Sequence, residues 1–241
     1  MSTVQGKTYF CLVPLFLAID TSEEICSVAL FENDELLYTR QTKEPNSHSK
    51  YIFGTIRDVI YEKSVYWPNI NAFVLNLGPG SYTGLRIGSS ALKSISYCTN
   101  VPIIGLTSLE IMSATYRDQT PGLTEKDVIC AAMDARRMEV FWQFFDHEGN
   151  SIHEANPAIL DEVSPPDCTK GKHVHLIGSA TGKMKDLNYF PEQTVSLENW
   201  LHAKHMGHLI SDKWEKKEFL DVAYFEPTYL KEFFFVKSRN K

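Results

Sequence analysis

Gly78-Pro-Gly-Ser-Tyr-Thr-Gly-Leu-Arg-Ile-Gly88 decides the fold of this chain, because it turns an apolar run into an amphipathic one through closely spaced glycines. Ahead of it, Ala72-Phe-Val-Leu-Asn-Leu77 reads as a buried strand; behind it, Leu85 to Tyr97 carries apolar residues at helical spacing. A backbone so rich in glycine comes close to something. Exposed amides at a helix N-terminus can cradle an anion, and glycine equally lets a chain pack against itself. Neither familiar phosphate loop fits the spelling. Gly78, Gly80 and Gly84 leave too long a second gap for G-x-G-x-x-G, and no lysine follows a glycine as G-x-x-x-x-G-K-[ST] requires. Ligand contact and packing both stand as readings of this turn.

Upstream, Leu17-Ala-Ile-Asp-Thr-Ser22, Cys26-Ser-Val-Ala-Leu-Phe31 and Glu35-Leu-Leu-Tyr-Thr-Arg40 read as three consecutive strands separated by turn residues. Asp20 falls where the first strand enters its hairpin, a place that suits a metal-water or phosphate contact and equally suits the turn-forming habit of Asp. A helix over about Ser49 to Ser64 follows, then the strand at 72–77, the glycine turn and its helix, and the strand Pro102-Ile-Ile-Gly-Leu106. Three strands, helix, strand, helix, strand is the order of one ribonuclease H-like lobe. A second set begins at Val128-Ile-Cys-Ala-Ala-Met-Asp134, where an apolar strand again ends in Asp-Ala. The expected fold is therefore α/β, two ribonuclease H-like lobes of the actin-like ATPase (ASKHA) superfamily. The lobes are expected over 15–107 and 108–219, the second smaller, with a C-terminal segment of about 220–235 packing back on the first. Fold order alone does not fix function.

Four segments occurring in sequence carry a closer resemblance: Ala18-Ile-Asp-Thr-Ser22, the glycine turn, Met133-Asp-Ala-Arg136 with Glu139-Val-Phe141, and Glu226-Pro-Thr-Tyr-Leu-Lys231. Together they resemble the bacterial TsaB (YeaZ) family, over about 15–231, with the glycine turn as the most specific part. The resemblance implies a non-catalytic partner of the TsaD subunit, which it would bind and activate for transfer of threonylcarbamoyl to N6 of adenosine 37 in ANN-decoding tRNAs. It implies a homodimer when the partner is absent, the ATPase subunit TsaE as a further partner, tRNA contact only through the complex, and a cytoplasmic location. It brings no intrinsic cofactor, with ATP or ADP placed at the boundary with TsaD. The family pairs through the helices of the first lobe as a bundle, so Ile52, Phe53, Ile56, Gly84, Leu85, Gly88, Ser89 and Leu92 are the expected partner face. Ser89 is expected to point outward.

The residues themselves argue against an independent catalyst. A metal-dependent enzyme of this superfamily would show H-x-x-x-H on the first helix, but His48 is followed four positions later by Ile52. His48 is expected as a helix-start or surface residue, and a metallopeptidase reading lacks its ligands. After the second aspartate the chain reads Asp134-Ala-Arg-Arg-Met138, without glycines to admit phosphate closely. Asp20, Gly78, Gly80, Ser81, Asp134, Arg136 and Gly178 remain the expected nucleotide- or phosphate-proximal set, Gly178 through its turn Gly178-Ser-Ala-Thr-Gly182. An active nucleotide-dependent kinase or transferase is the alternative, with Asp20 and Asp134 positioning metal-bound phosphate.

His202, His205 and His208 are spaced to share a helix side, yet no carboxylate or cysteine is close in sequence, and Leu201, Leu209 and Ile210 supply an ordinary buried stripe. No G-x-S-x-G nucleophile elbow occurs. The apolar run Tyr9 to Ile19 is too short for a bilayer, which takes about 20 residues, and its removal would delete the first strand. The first 14 residues are read as a strand extension, a disordered start or a misassigned start. Five cysteines without a C-x-x-C pair point to reduced, packed thiols, and 241 residues that are 43% apolar can bury a core in two small lobes. With 24 basic against 30 acidic side chains, net charge −6, the chain alone is expected to bind tRNA poorly. Its only modest basic clusters are Arg136-Arg137 and the tail of Lys231, Lys237, Arg239 and Lys241 beside Phe233-Phe-Phe235.

Overall fold

The computed structural model describes residues 13–228 except 43, 46, 136, 197 and 199, together with two paired two-residue strands, β1 (Thr3–Val4) and β2 (Lys7–Thr8). Two five-stranded sheets follow, and they are built alike. In the first, β3 (Leu15–Asp20), β4 (Ser27–Glu32) and β5 (Glu35–Gln41) pair antiparallel, while β6 (Ile70–Asn76) and β7 (Ile103–Leu106) add parallel, in the order β5-β4-β3-β6-β7. In the second, β8 (Asp127–Asp134), β9 (Glu139–Phe145) and β10 (Ser151–Ile159) pair antiparallel, and β11 (His173–Ile177) and β12 (Gln193–Val195) add parallel, in the order β10-β9-β8-β11-β12. The repeated order gives the two-lobed actin-like architecture that the sequence leads one to expect.

Alternation along the strands explains the layers. On β3, Leu17 and Ile19 face outward to join α1 (His48–Glu62) and α2 (Tyr82–Thr99), while Phe16 and Ala18 face the other lobe. Both faces being buried, the strand reads as one continuous apolar run. The second sheet puts Ile129, Ala131 and Met133 inward, and Val128, Cys130 and Ala132 outward under the short α4 (Thr181–Asp186). Between the sheets lies α3 (Ser108–Gln119), whose N-terminus is closed by a capping box in which Thr107 and Glu110 satisfy each other's backbone amides.

The return to the first lobe begins earlier than expected. Instead of starting near residue 220, the chain crosses back at about Trp200, through a one-turn helix (Ala203–His205) and α5 (Gly207–Glu215). The inner face of the first sheet needs this cover, because Phe16 and Phe31 would otherwise meet water. Met206 and Ile210 join that core, and Trp214 packs edge-on to Phe16 with ring centroids 5.4 Å apart. Ala203 N donates to Ser27 Oγ at 2.9 Å, and Leu220 N and Thr228 N donate to Ile103 and Leu77 carbonyls at 2.8 Å, which carries the segment along β7. Residues 229–235 of the expected returning segment, and the basic tail, lie outside the described residues.

Among the described residues four cysteines are free thiols: Cys26 and Cys130 are buried, Cys168 is half-buried, and Cys98 is exposed rather than packed. Burial pushes the Cys26 thiol up to about 12, so it is inert at neutral pH. No helix among the described residues is long and apolar enough to cross a membrane.

Candidate functional site

The glycine turn is woven into its own chain. Ser81 caps α2 by accepting from Gly84 N at 3.2 Å, and its amide donates to the Ser22 carbonyl at 2.7 Å. A Cβ on Gly80 would stand 2.4 Å from that carbonyl, and one on Gly84 2.1 Å from the Thr21 carbonyl. Gly80 and Gly84 are therefore required by close approach of the turn to the end of β3. Close packing of the turn is thus present in the structure, and Gly80 and Ser81 also line the cleft between the lobes.

Beneath the turn lies a buried polar network. Asp20 Oδ1 accepts from Ser22 N at 2.8 Å, Ser22 Oγ at 2.7 Å and Asn76 Nδ2 at 3.2 Å, while Asn76 Oδ1 accepts from Gly78 N at 2.9 Å and Ser108 Oγ at 3.0 Å. Burial raises the Asp20 pKa against the opposing pull of those hydrogen bonds. Asp20 is 2% exposed. It organises the hairpin from within.

An open cleft of about 820 Å³ separates the lobes. It brings Gly80 and Ser81 from the first lobe opposite Asp134 from the second, and adds Glu23, Glu24 and Ser179, which sequence reasoning did not single out. Asp20 and Gly78 lie off its lining; Gly178, with φ of 99°, packs against the Ala132 carbonyl, and Arg136 lies outside the described residues. Asp134 is engaged by Lys183 Nζ at 2.8 Å, and the same ammonium donates to the Glu139 carbonyl at 3.2 Å. The pair Gly182-Lys183 at the start of α4 was the available signal for this lysine. The cleft thus gathers Glu23, Glu24 and Asp134 in one lining, the last of them paired with Lys183.

The expected partner face is largely interior. Ile52, Ile56, Leu85 and Leu92 are at most 1% exposed, Ser89 is 5% exposed, and Gly84 and Gly88 are buried as well. The expectation that Ser89 points outward is overturned: it lies on the inward side of α2 with Leu85, Gly88 and Leu92, because the first sheet needs both helices as its cover. Phe53 alone of the eight is exposed, at 56%. What this face offers is a groove of about 570 Å³ between α1 and α2, rimmed by Phe53, Ser49, Arg86, Ser90 and Ser94, with buried Ile52 and Ala91 beneath. The guanidinium of Arg86 lies 4.1 Å over the Tyr82 ring.

Histidines behave in three ways. His48 does start α1, yet it is buried at 4% exposure and its Nε2 donates to the Glu23 carbonyl at 2.7 Å. His202 and His205 do not share a helix side with His208, since a one-turn helix and α5 divide them. Burial lowers both His202 and His205 to about 4, while His208 reaches Asp118 at 3.1 Å. Unflagged by the sequence, His175 bridges Asp127 and Tyr116 at 2.8 Å each, tying α3 to the second sheet. No three His, Cys, Asp or Glu side chains among the described residues are grouped to hold a metal ion.

Comparison with known proteins adds the following. The model of a family described as TsaD, tRNA N6-adenosine threonylcarbamoyltransferase, matches residues 42–236. The Escherichia coli K12 tRNA threonylcarbamoyladenosine biosynthesis protein TsaB is 34% identical over 147 residues, 60% of this chain and 61% of that one. Its counterpart from Buchnera aphidicola subsp. Baizongia pistaciae is 27% identical over 228 residues, 92% of this chain and all of that one. The chain spans about three-fifths of the length of the first curated relatives it matches. Among solved structures, YeaZ from Pseudomonas aeruginosa superposes with a TM-score of 0.75 at 26% identity, covering 90% of this chain and 100% of that one. A second Pseudomonas aeruginosa structure, of a protein with similarity to peptidase YEAZ, reaches 0.77 at 24% identity over the same coverage. With the family model covering most of its length, and TsaB sequences and YeaZ structures agreeing with it, this chain belongs to the TsaB (YeaZ) family.

Proposed function

We propose that this chain is a non-catalytic subunit in tRNA threonylcarbamoyladenosine biosynthesis, one that binds TsaD and activates it for threonylcarbamoyl transfer to N6 of adenosine 37 in ANN-decoding tRNAs. The observation that carries the reading is the groove between α1 and α2: an exposed Phe53 beside Ser49, Ser90 and Ser94, where little side-chain bulk leaves room for a facing helix. The name borne by its TsaB relatives supplies the pathway. The pairing of Asp134 with Lys183 and the acidic lining of the cleft support a subunit that does not turn over nucleotide by itself. In this reading two copies pair through the same groove when TsaD is absent, TsaE joins the assembly, ATP or ADP sits at the boundary with TsaD, tRNA is met only in the complex, and the assembly works in the cytoplasm.

Size-exclusion chromatography with light scattering, on this chain alone and mixed with its cognate TsaD, tests the reading. A one-to-one complex that is lost on Phe53→Glu or Ser90→Arg, with the variants still folded, supports it; persistent non-association of the wild-type chain sinks it. The groove residue Ser90 replaces the buried Ser89 as the site for a test charge. The kinase or transferase alternative draws on the convergence of Gly80, Ser81, Asp134 and Ser179 around the cleft. It requires ATP turnover by the purified chain that disappears in Asp134→Ala.

A further inference from the structure

The α1–α2 groove and the cleft between the lobes share Tyr82 and Thr83 at the start of α2, and beside these residues runs one short loop, residues 21–25. On its cleft side the loop presents Ser22, Glu23 and Glu24. On its other side it is gripped by both helices of the first lobe. His48, the first residue of α1, lies 2.7 Å from the Glu23 carbonyl through Nε2; a carbonyl only accepts, so Nε2 carries the proton. The start of α2 holds the same loop through backbone: Ser81 N donates to the Ser22 carbonyl at 2.7 Å. A Cβ on Gly84 would stand 2.1 Å from the Thr21 carbonyl and 3.1 Å from the His48 ring, and one on Gly88 would stand 2.3 Å from Thr21 Oγ1. Loop, helix start and glycine face interlock, and in a close-packed joint one part does not move alone.

The interior of this joint is not fully paired. Asp20 Oδ2, Thr21 Oγ1, His48 Nδ1 and Ser89 Oγ are all buried, and none has a hydrogen-bond partner among the described residues. With Nε2 committed to Glu23, His48 has Nδ1 left over, and the Thr21 and Ser89 hydroxyls are donors left without acceptors. Buried polar atoms in that state favour any small rearrangement that pairs them. The joint is therefore poised at the junction of the two surfaces.

We infer that His48 is a positioning residue that couples the α1–α2 face to the cleft: a partner closing on the groove shifts the start of α1 against α2, and His48 carries that shift to the loop bearing Glu23 and Glu24. The occupant of the groove rests on the function proposed above; the joint itself does not, since every contact in it is made within this chain.

Hydrogen–deuterium exchange of the 20–27 region in the full chain, alone and with cognate TsaD, tests the coupling. In the free chain His48→Ala is expected to speed exchange of this region about fivefold, the worth of one hydrogen bond of ordinary net strength. His48→Gln, whose amide can donate to the same carbonyl, stays close to wild type. On adding TsaD, the loop gains protection in the wild-type and Gln chains and not in the Ala chain, although all three form the complex. Unchanged loop exchange in the free Ala chain, or equal protection by TsaD in wild-type and Ala chains, overturns the inference. If the wild-type chain forms no complex, the proposed function falls, and the free-chain comparison alone decides the joint. Should His48→Ala fail to fold, His48→Asn, too short to reach Glu23, takes its place.

Discussion

Asp20 and Asp134 close corresponding strands, β3 and β8, in two sheets of the same order, yet they live in opposite surroundings. Asp20 is sealed beneath the glycine turn, accepts from Ser22 and Asn76, and has its pKa raised by burial. The Asp134 side chain is 43% exposed at the cleft and paired with Lys183. Repeating a topology does not repeat its chemistry. Strand order follows from backbone pairing and apolar alternation, whereas the work of a carboxylate at a strand end is decided by the few residues that reach it. In one lobe those are a tight glycine turn and a hairpin; in the other, a lysine on a short helix.

The contrast can be broken most directly by removing each carboxylate. Asp20→Ala leaves Ser22 N and Ser22 Oγ buried without their acceptor and Asn76 Nδ2 with Ser22 Oγ alone, and is expected to cost about 3 kcal/mol, with Asp20→Asn costing less because it keeps an acceptor oxygen. Asp134→Ala severs a partly exposed pair and should cost about 1 kcal/mol. Urea unfolding of both variants measures this, and equal losses would erase the distinction drawn here.

Glycines sharpen it next. Gly84→Ala forces a methyl to 2.1 Å from the Thr21 carbonyl and should destabilise by about 2 kcal/mol. Gly182→Ala, in α4 with nothing within 4 Å, should stabilise by about 0.5 kcal/mol through helix propensity. Thermal unfolding of the two single variants would show shifts of opposite sign.

The pH dependence separates the lobes further. His202 and His205, held near 4 against the first sheet, bind protons more tightly when unfolded. Their contribution is whole above about 6.5, the ordinary histidine value, and is lost as pH falls towards 4. After allowance for solvent screening it amounts to about 1 kcal/mol for each ring, and His202→Gln or His205→Gln should flatten the stability profile over that window. Asp127 in the second lobe, lowered to about 2 with His175 bonded to it, adds a loss only at lower pH, from the ordinary carboxylate range downward. Asp20 has the reverse sign: its raised folded pKa makes stability fall as pH rises through the window between the unfolded carboxylate value and the folded one. Chemical denaturation in steps from pH 2 to 7 distinguishes these slopes.

The smallest expected effect is Lys183→Ala, at about 0.5 kcal/mol, shrinking as salt is added. A larger and salt-independent loss would mean that Lys183 serves the second lobe through packing of its stem rather than through Asp134.

Much of this was legible in the residues. Runs such as Leu17 to Ile19 and Ile129 to Met133 announce strands buried on both faces, and the glycine turn marks its strand-to-helix corner because only glycine tolerates so close a backbone. Phe53 and Ser89 show where legibility stops. Both lie on helices that the sequence finds readily, but which side of each helix is spent on the sheet depends on how two helices share one surface, so Ser89 was read outward and is buried. His48 carries no sequence signal beyond its place at a helix start; its grip on Glu23 spans 25 residues.

The order of strands and helices, the two lobes and the glycine corner were determined by the sequence itself, since periodicity, turn residues and glycine spacing act locally and are written in the chain. The pairing of Asp134 with Lys183, the return at Trp200, the burial of Ser89 and the joint around His48 were decided only by the tertiary structure. Each depends on distance between groups far apart in the chain, and distance is set when the sheets and helices compete to cover the same apolar faces.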